Sequence, residues 1–167
     1  ASYVKKYPNL FVIRSLTKFY AMPGLRFGYA IADQDFVGAL QDMRQPWSIN
    51  SLAVLAAKAA LKDTEFIEKT RSSIAREKAQ LVKMLKGIDV LRVFPSETNF
   101  VLVKILNKKT TSTALRESMA KEGILIRDCS TFVGLDDSYF RVTVRSSKEN
   151  LVLLKALKRA LKITDEK

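Results

Sequence analysis

Lys18 closes the segment Ser15-Leu16-Thr17-Lys18, which follows a short apolar run, and Gly24-Leu25-Arg26-Phe27-Gly28 comes soon after it. Loops at strand ends are where α/β proteins place reactive groups. A lysine there can be desolvated, which lowers its pKa and frees its amine to attack an aldehyde. Ser15 and Arg26 lie on either side of it. A hydroxyl and a guanidinium are the donors that a phosphate recruits, and Arg26 can grip one bidentately. The neighbouring glycines allow close backbone approach. Two more arginines carry a similar message: Arg127 ends one short apolar stretch and Arg141 lies inside another. An arginine set among apolar strand residues needs an anionic partner, either a ligand or one of Asp128, Asp136 and Asp137. Arg145 shares the strand face of Arg141 by alternation and competes for the same role.

The rest of the composition removes other chemistries. The 167 residues include no histidine, and Cys129 is the single cysteine. That excludes Ser-His and Cys-His nucleophiles, histidine-based metal sites, CxxC zinc pairs and any intrachain disulfide, and no metal is expected. Cys129 reads as inert core. The formal net charge of +12 admits a nucleic-acid partner, but the cations are spread along the whole chain. On the last helix Lys155, Lys158, Arg159 and Lys162 share one face and Leu153, Leu157, Ala160 and Leu161 another, an ordinary solvated pattern. No nucleic-acid or membrane partner is expected. No apolar run reaches the roughly 20 residues of a membrane span, and the first residues lack a signal-peptide core, so a cytoplasmic location is expected.

Those reactive residues need elements to position them. Asn9 to Ser15 predicts a short buried strand, a turn follows at Met22-Pro23-Gly24, and Leu25 to Ala32 predicts a second strand. Asp33 caps a helix to about Arg44. Asn50 to Lys62 reads as an alanine-rich, deeply buried helix. A long helix from Asp63-Thr64 to Lys86 carries Ile67, Ile74, Leu81 and Leu85 as one stripe and stops at Gly87. Strands are predicted at Val90–Phe94, Asn99–Ile105, Ile124–Arg127 and Tyr139–Val144. Helices are predicted over Thr111–Glu122 and from Ser146 to about Lys162. The expected fold class is α/β, with residues 1–62 as one part and 63–167 as a small C-terminal α+β domain. Two strands and two helices are too few for a free-standing open sheet. The first part is therefore expected to be the end of a larger domain's sheet.

The segment SLTKFYAMPGLRFGY resembles the lysine motif of fold-type-I, aspartate-aminotransferase-like pyridoxal-phosphate enzymes, S-x-[ST]-K followed by a G-[LM]-R-x-G turn. The resemblance implies pyridoxal 5'-phosphate as cofactor. It implies Lys18 as the catalytic lysine that carries the cofactor as a Schiff base, and Ser15 and Arg26 as ligands of its phosphate. Residues 1–62 would then be the C-terminal part of the cofactor-binding large domain. Within that superfamily the chain is similar end to end to the group of threonine-phosphate decarboxylases of cobalamin biosynthesis and histidinol-phosphate aminotransferases. QPWSINSLA and IRDC…GLD…YFRVTVR lean toward the decarboxylases. The resemblance implies a phosphorylated amino-acid substrate held by Arg127 and Arg141, and a homodimer. Asn99, Tyr20 and Trp47 are further candidates for the pocket.

In the same family an aspartate on the pyridine nitrogen, a stacked aromatic and a Gly-rich phosphate loop precede the lysine. Asp33 and Asp35 do not match that aspartate. The chain is therefore expected to hold about half of an active site and to be inactive alone. The alternatives are a histidinol-phosphate-type aminotransferase and, in another class, a non-catalytic basic binding module.

Overall fold

A computed structural model describes residues 2–163 and separates them into two compact units, Ala1–Ile67 and Glu68–Lys167. In the first unit a 3-10 turn, Ser2–Lys5, buries Val4. Strand β1 (Val12–Ser15) pairs antiparallel with β2 (Gly28–Ile31), with Ser15 opposite Gly28. A second 3-10 turn, Pro23–Leu25, lies between them. Helix α1 (Gln34–Asp42) starts at Asp33, whose carboxylate accepts the Asp35 amide. Helix α2 (Ser51–Lys62) starts at Asn50, whose side chain accepts the Ala53 amide at 2.7 Å. Both caps satisfy amide groups that a first helical turn leaves unpaired.

The predicted burial of this unit is corrected. Ile13 in β1 is 71% exposed. In α2, Leu52 is 72% and Leu55 63% exposed, and the buried residues are Ala53 and Ala57. Hydrophobicity identifies a surface that favours burial and cannot supply the surface that buries it. The Leu25 to Ala32 strand also starts later than predicted. Leu25 closes the 3-10 turn that Pro23 opens, and Arg26 after it takes a left-handed backbone, so the extended chain begins only at Gly28.

Helix α3 (Thr64–Lys86) crosses the division between the units. In the second unit β3 (Leu91–Val93), β4 (Phe100–Ile105), β6 (Tyr139–Thr143) and β5 (Arg127–Asp128) form one antiparallel sheet in the order β3-β4-β6-β5. Helices α4 (Ser112–Ala120) and α5 (Ser147–Ala160) join the C-terminal half of α3 on its inner face. The packing follows strand alternation. Val101, Val103, Ile105, Phe140 and Val142 point inward and meet Leu81 and Leu85 of α3, Leu115 and Met119 of α4, and Leu153, Leu154 and Leu157 of α5. The intervening residues Phe100, Leu102, Lys104, Tyr139 and Arg141 belong to the other face and are only partly buried. Two buried polar groups tie the helices down. Glu77 accepts the Ser147 hydroxyl at 2.6 Å, and Asn150 bonds both the amide and the carbonyl of Arg145. Among the described residues no helix is long and apolar enough to cross a membrane.

Candidate active site

In the first unit the chain turns sharply after β1. The Leu16 amide still donates to Phe27 across the pair at 3.2 Å, and then residues 17–20 fold into a single turn. Met22 donates back to the Thr17 carbonyl and Ala21 to the Lys18 carbonyl, both at 3.1 Å. Leu16 and Thr17 are buried beneath this turn, whereas Lys18 is on its outer side and exposed. The desolvation expected of Lys18 is therefore not found in this unit. The burial falls on its two preceding neighbours because they point inward from the turn.

Ser15 and Arg26 do come together. With Thr17, Phe27 and Gly28 they line one shallow groove of about 380 Å³, which Lys18 does not line. The Ser15 hydroxyl lies 2.8 Å from that of Thr17 and accepts the Thr17 amide at 3.4 Å. Arg26 donates to the Pro23 carbonyl at 3.0 Å. Its backbone is left-handed, φ 50° and ψ 47°. A non-glycine residue held there stores about 1–2 kcal/mol, and such positions concentrate at ligand sites. Gly28 is required by close approach: a Cβ there would stand 2.8 Å from the Arg14 carbonyl oxygen. Two hydroxyls, a guanidinium and a bare glycine around one groove suit a phosphate. Thr17 was not singled out from the sequence as a groove residue, although it occupies the [ST] position of the lysine motif.

In the second unit Arg127 and Arg141 are register partners, directly across β5 and β6. Their side chains therefore leave the same face of the sheet. Arg141 lies 4.2 Å over the Phe100 ring, and Arg127 lies 5.1 Å over the Phe132 ring and donates to the Thr131 hydroxyl at 3.3 Å. Among the described residues neither makes an ion pair. Two of the three internal partners that the sequence offered, Asp128 and Asp136, are engaged elsewhere. Asp128 accepts Ser112, Thr113 and the Ser130 amide, and Asp136 accepts Ser138. Burial raises the Asp128 carboxyl, but those hydrogen bonds outweigh it and hold it well below the ordinary carboxylate range. Arg145, the competing arginine, pairs with Glu149 at 2.7 Å. β6 has ended by then, so strand alternation no longer carries Arg145 to the face of Arg141. Two like charges stand across the ladder with no ion-pair partner among the described residues, an arrangement that favours an anion between them.

Phe100 and Phe132, the rings beneath these arginines, carried no signal at sequence level. Cys129 is fully buried beside them. Burial pushes its thiol up, while Arg141 and Arg127 pull it partly back. Trp47 is 98% exposed, and Tyr20 packs on Phe19 and Phe66. Asn99 uses its carbonyl to accept the Val144 amide at 2.8 Å.

These two constellations coincide with a family. The family model for aminotransferases of class I and II matches residues 1–157, and the chain belongs to that family. It is 37% identical over 159 residues to the threonine-phosphate decarboxylase of Salmonella typhimurium, covering 95% of this chain and 43% of that protein. The crystal structure of the histidinol-phosphate aminotransferase from Clostridium acetobutylicum superposes with a TM-score of 0.91 at 38% identity, covering 98% of this chain and 49% of that one. The histidinol-phosphate aminotransferase of Sinorhizobium meliloti, solved in complex with pyridoxal-5'-phosphate, superposes with a TM-score of 0.81 at 26% identity over 93% of this chain and 42% of that one. The chain spans less than half the length of the curated relatives it matches. The α/β fold is that of these enzymes, and pyridoxal 5'-phosphate is the cofactor they indicate.

Proposed function

We propose that this chain supplies the lysine-bearing part of the large domain and the small domain of a pyridoxal-phosphate enzyme. Its substrate is a phosphorylated amino acid, and the reaction is decarboxylation of threonine phosphate. The single observation that carries the substrate class is the facing, uncountered pair Arg127 and Arg141. Two arginines paired across one strand ladder and leaving the same sheet face suit a molecule that offers both a phosphate and a carboxylate.

The chain's own residues then divide the work. Ser15, Thr17 and Arg26 hold the cofactor's phosphate in the groove between β1 and β2. Lys18 would provide the amine that holds the cofactor's aldehyde carbon; once the substrate's own amine has displaced it, the freed Lys18 amine would deliver a proton to the substrate's α-carbon. Arg127 and Arg141 bind the substrate's anionic groups, and their grip decides which bond at the α-carbon is presented for cleavage. Bound pyridoxal phosphate supplies an electron sink for the pair left by that bond. Likeness to the Salmonella decarboxylase and the IRDC and YFRVTVR segments support decarboxylation. Likeness to the Clostridium aminotransferase supports the alternative, transfer of the amino group.

The natural gene product, given pyridoxal phosphate, O-phosphothreonine and a 2-oxo acid, separates the two. Carbon dioxide release without amino transfer is the expected result. Amino transfer as the main reaction, or no preference for the phosphorylated over the plain amino acid, overturns the reading.

A further inference from the structure

Arg127 stands on a strand of two residues at the edge of the sheet, and β5 pairs with β6 only at Arg127–Arg141 and Asp128–Phe140. So short a strand has little ladder of its own to fix it. The charge it carries opposes it as well, because like charges across a strand pair repel. On the arginine side the contacts are weak: a 3.3 Å hydrogen bond to Thr131 and the Phe132 ring.

The opposite side of β5 is different. Alternation turns Asp128 away from Arg127 and toward the helices. Its Oδ1 accepts the Ser112 hydroxyl at 2.8 Å and the Ser130 amide at 2.9 Å, and its Oδ2 accepts the Thr113 hydroxyl at 2.7 Å. Ser112 is fully buried, and both hydroxyls belong to the first turn of α4, which Thr111 caps. Three donors converge on one carboxylate and tie the strand, the following turn and the helix together. Charge-assisted bonds of this kind are roughly twice as strong as neutral ones. Beyond Asp128 the Cys129 amide donates to the Tyr139 carbonyl at 3.0 Å, so the anchor and the ladder hold adjacent residues.

We propose that Asp128 is a positioning residue whose carboxylate ties β5 to the first turn of α4 and so keeps Arg127 across from Arg141 against their mutual repulsion. It deepens, and rests on, the reading of the two arginines as the substrate's anion site. An Asp128 that acted only through its charge would do the reverse, since a nearby carboxylate weakens anion binding.

Two measurements on the 167-residue chain decide the matter. The first is ¹⁵N relaxation of the arginine Nε–Hε groups, without ligand, in the wild type, Asp128→Asn and Thr113→Ala. Arg127 loses order in both variants, more in Asp128→Asn, while Arg145 keeps its wild-type value. Unchanged order of Arg127 in both overturns the proposal. Thr113→Ala keeps the carboxylate and removes one partly buried hydroxyl, so it stays informative if Asp128→Asn unfolds. The second is titration with inorganic phosphate. Its affinity falls about three- to tenfold in Asp128→Asn. A rise in affinity in that variant assigns Asp128 a purely electrostatic part and overturns the proposal. Wild-type binding that does not respond to Arg127→Ala instead overturns the anion-site reading, and the relaxation result still tells whether Asp128 orders Arg127.

Discussion

The two units place their chemistry on very different foundations. The second unit has a continuous core built from one sheet face and three helices, and its arginines stand on strands of that sheet. Among its described apolar residues the first unit buries only Val4, Leu16, Ala53 and Ala57, and two of these are alanines. At about 1.5–3 kcal/mol for each fully buried large side chain, so small a set contributes little against the entropy of ordering the chain. Yet the groove of Ser15, Thr17 and Arg26 lies in this unit. Local hydrogen bonds and backbone geometry shape that groove. A packed core shapes the arginine pair.

Core damage tests the contrast most severely. Phe140→Ala removes a fully buried ring. About 3–5 kcal/mol is expected to be lost from the second unit. Amide exchange is expected to speed up across β3 to β6 and to stay unchanged in the first unit. Loss of protection in both units would erase the distinction. Next, Arg141→Ala is expected to weaken binding of a phosphorylated amino acid by about 1.5–3 kcal/mol, roughly 10- to 100-fold, without changing thermal unfolding. Calorimetric titration beside a melting curve checks it.

Gly28→Ala probes the local side of the comparison. Its Cβ meets the Arg14 carbonyl oxygen, a backbone atom that cannot swing away. A cost of about 1–3 kcal/mol is expected in the β1–β2 pair. The readout is loss of the nuclear Overhauser contacts between Arg14 and Tyr29, with the β4–β6 contacts intact.

Acid titration gives a smaller, directional effect. The Asp128 carboxyl sits below its ordinary value in the folded chain. Between the folded and unfolded values the unfolded chain binds more protons, so stability falls as pH drops. The contribution is complete above the ordinary carboxylate pKa near 4 and fades as pH falls toward the lower folded value. Asp128→Asn is expected to flatten the acid limb of the second unit's unfolding curve. The smallest effect is expected from Leu52→Ala at an exposed position of α2, within about 0.5 kcal/mol by chemical denaturation. A large loss there would mean that α2 is covered in solution.

Ser15 and Arg26 were legible together because they sit within a dozen residues, and the structure brings both to one groove that Lys18 does not line. Alternation in FVLVKI and YFRVT was legible because one face of that sheet is covered and the other open. Burial in β1 and α2 is not legible in the sequence because an apolar run looks the same whether or not another surface meets it. The pairing of Arg127 with Arg141 depends on strand register between segments far apart in sequence, which no periodicity encodes. The same holds for Asp128, whose donors lie 15 and 16 residues earlier on α4.

The most direct measurement returns to Lys18. The chain is mixed with pyridoxal phosphate, reduced with borohydride, and digested, and the modified lysines are mapped by peptide mass. With Lys18 as the lysine that holds the cofactor and Arg26 as its phosphate ligand, label concentrates on the Lys18 peptide and drops in Arg26→Ala. Label spread evenly over the surface lysines, with no change in Arg26→Ala, would contradict the assignment.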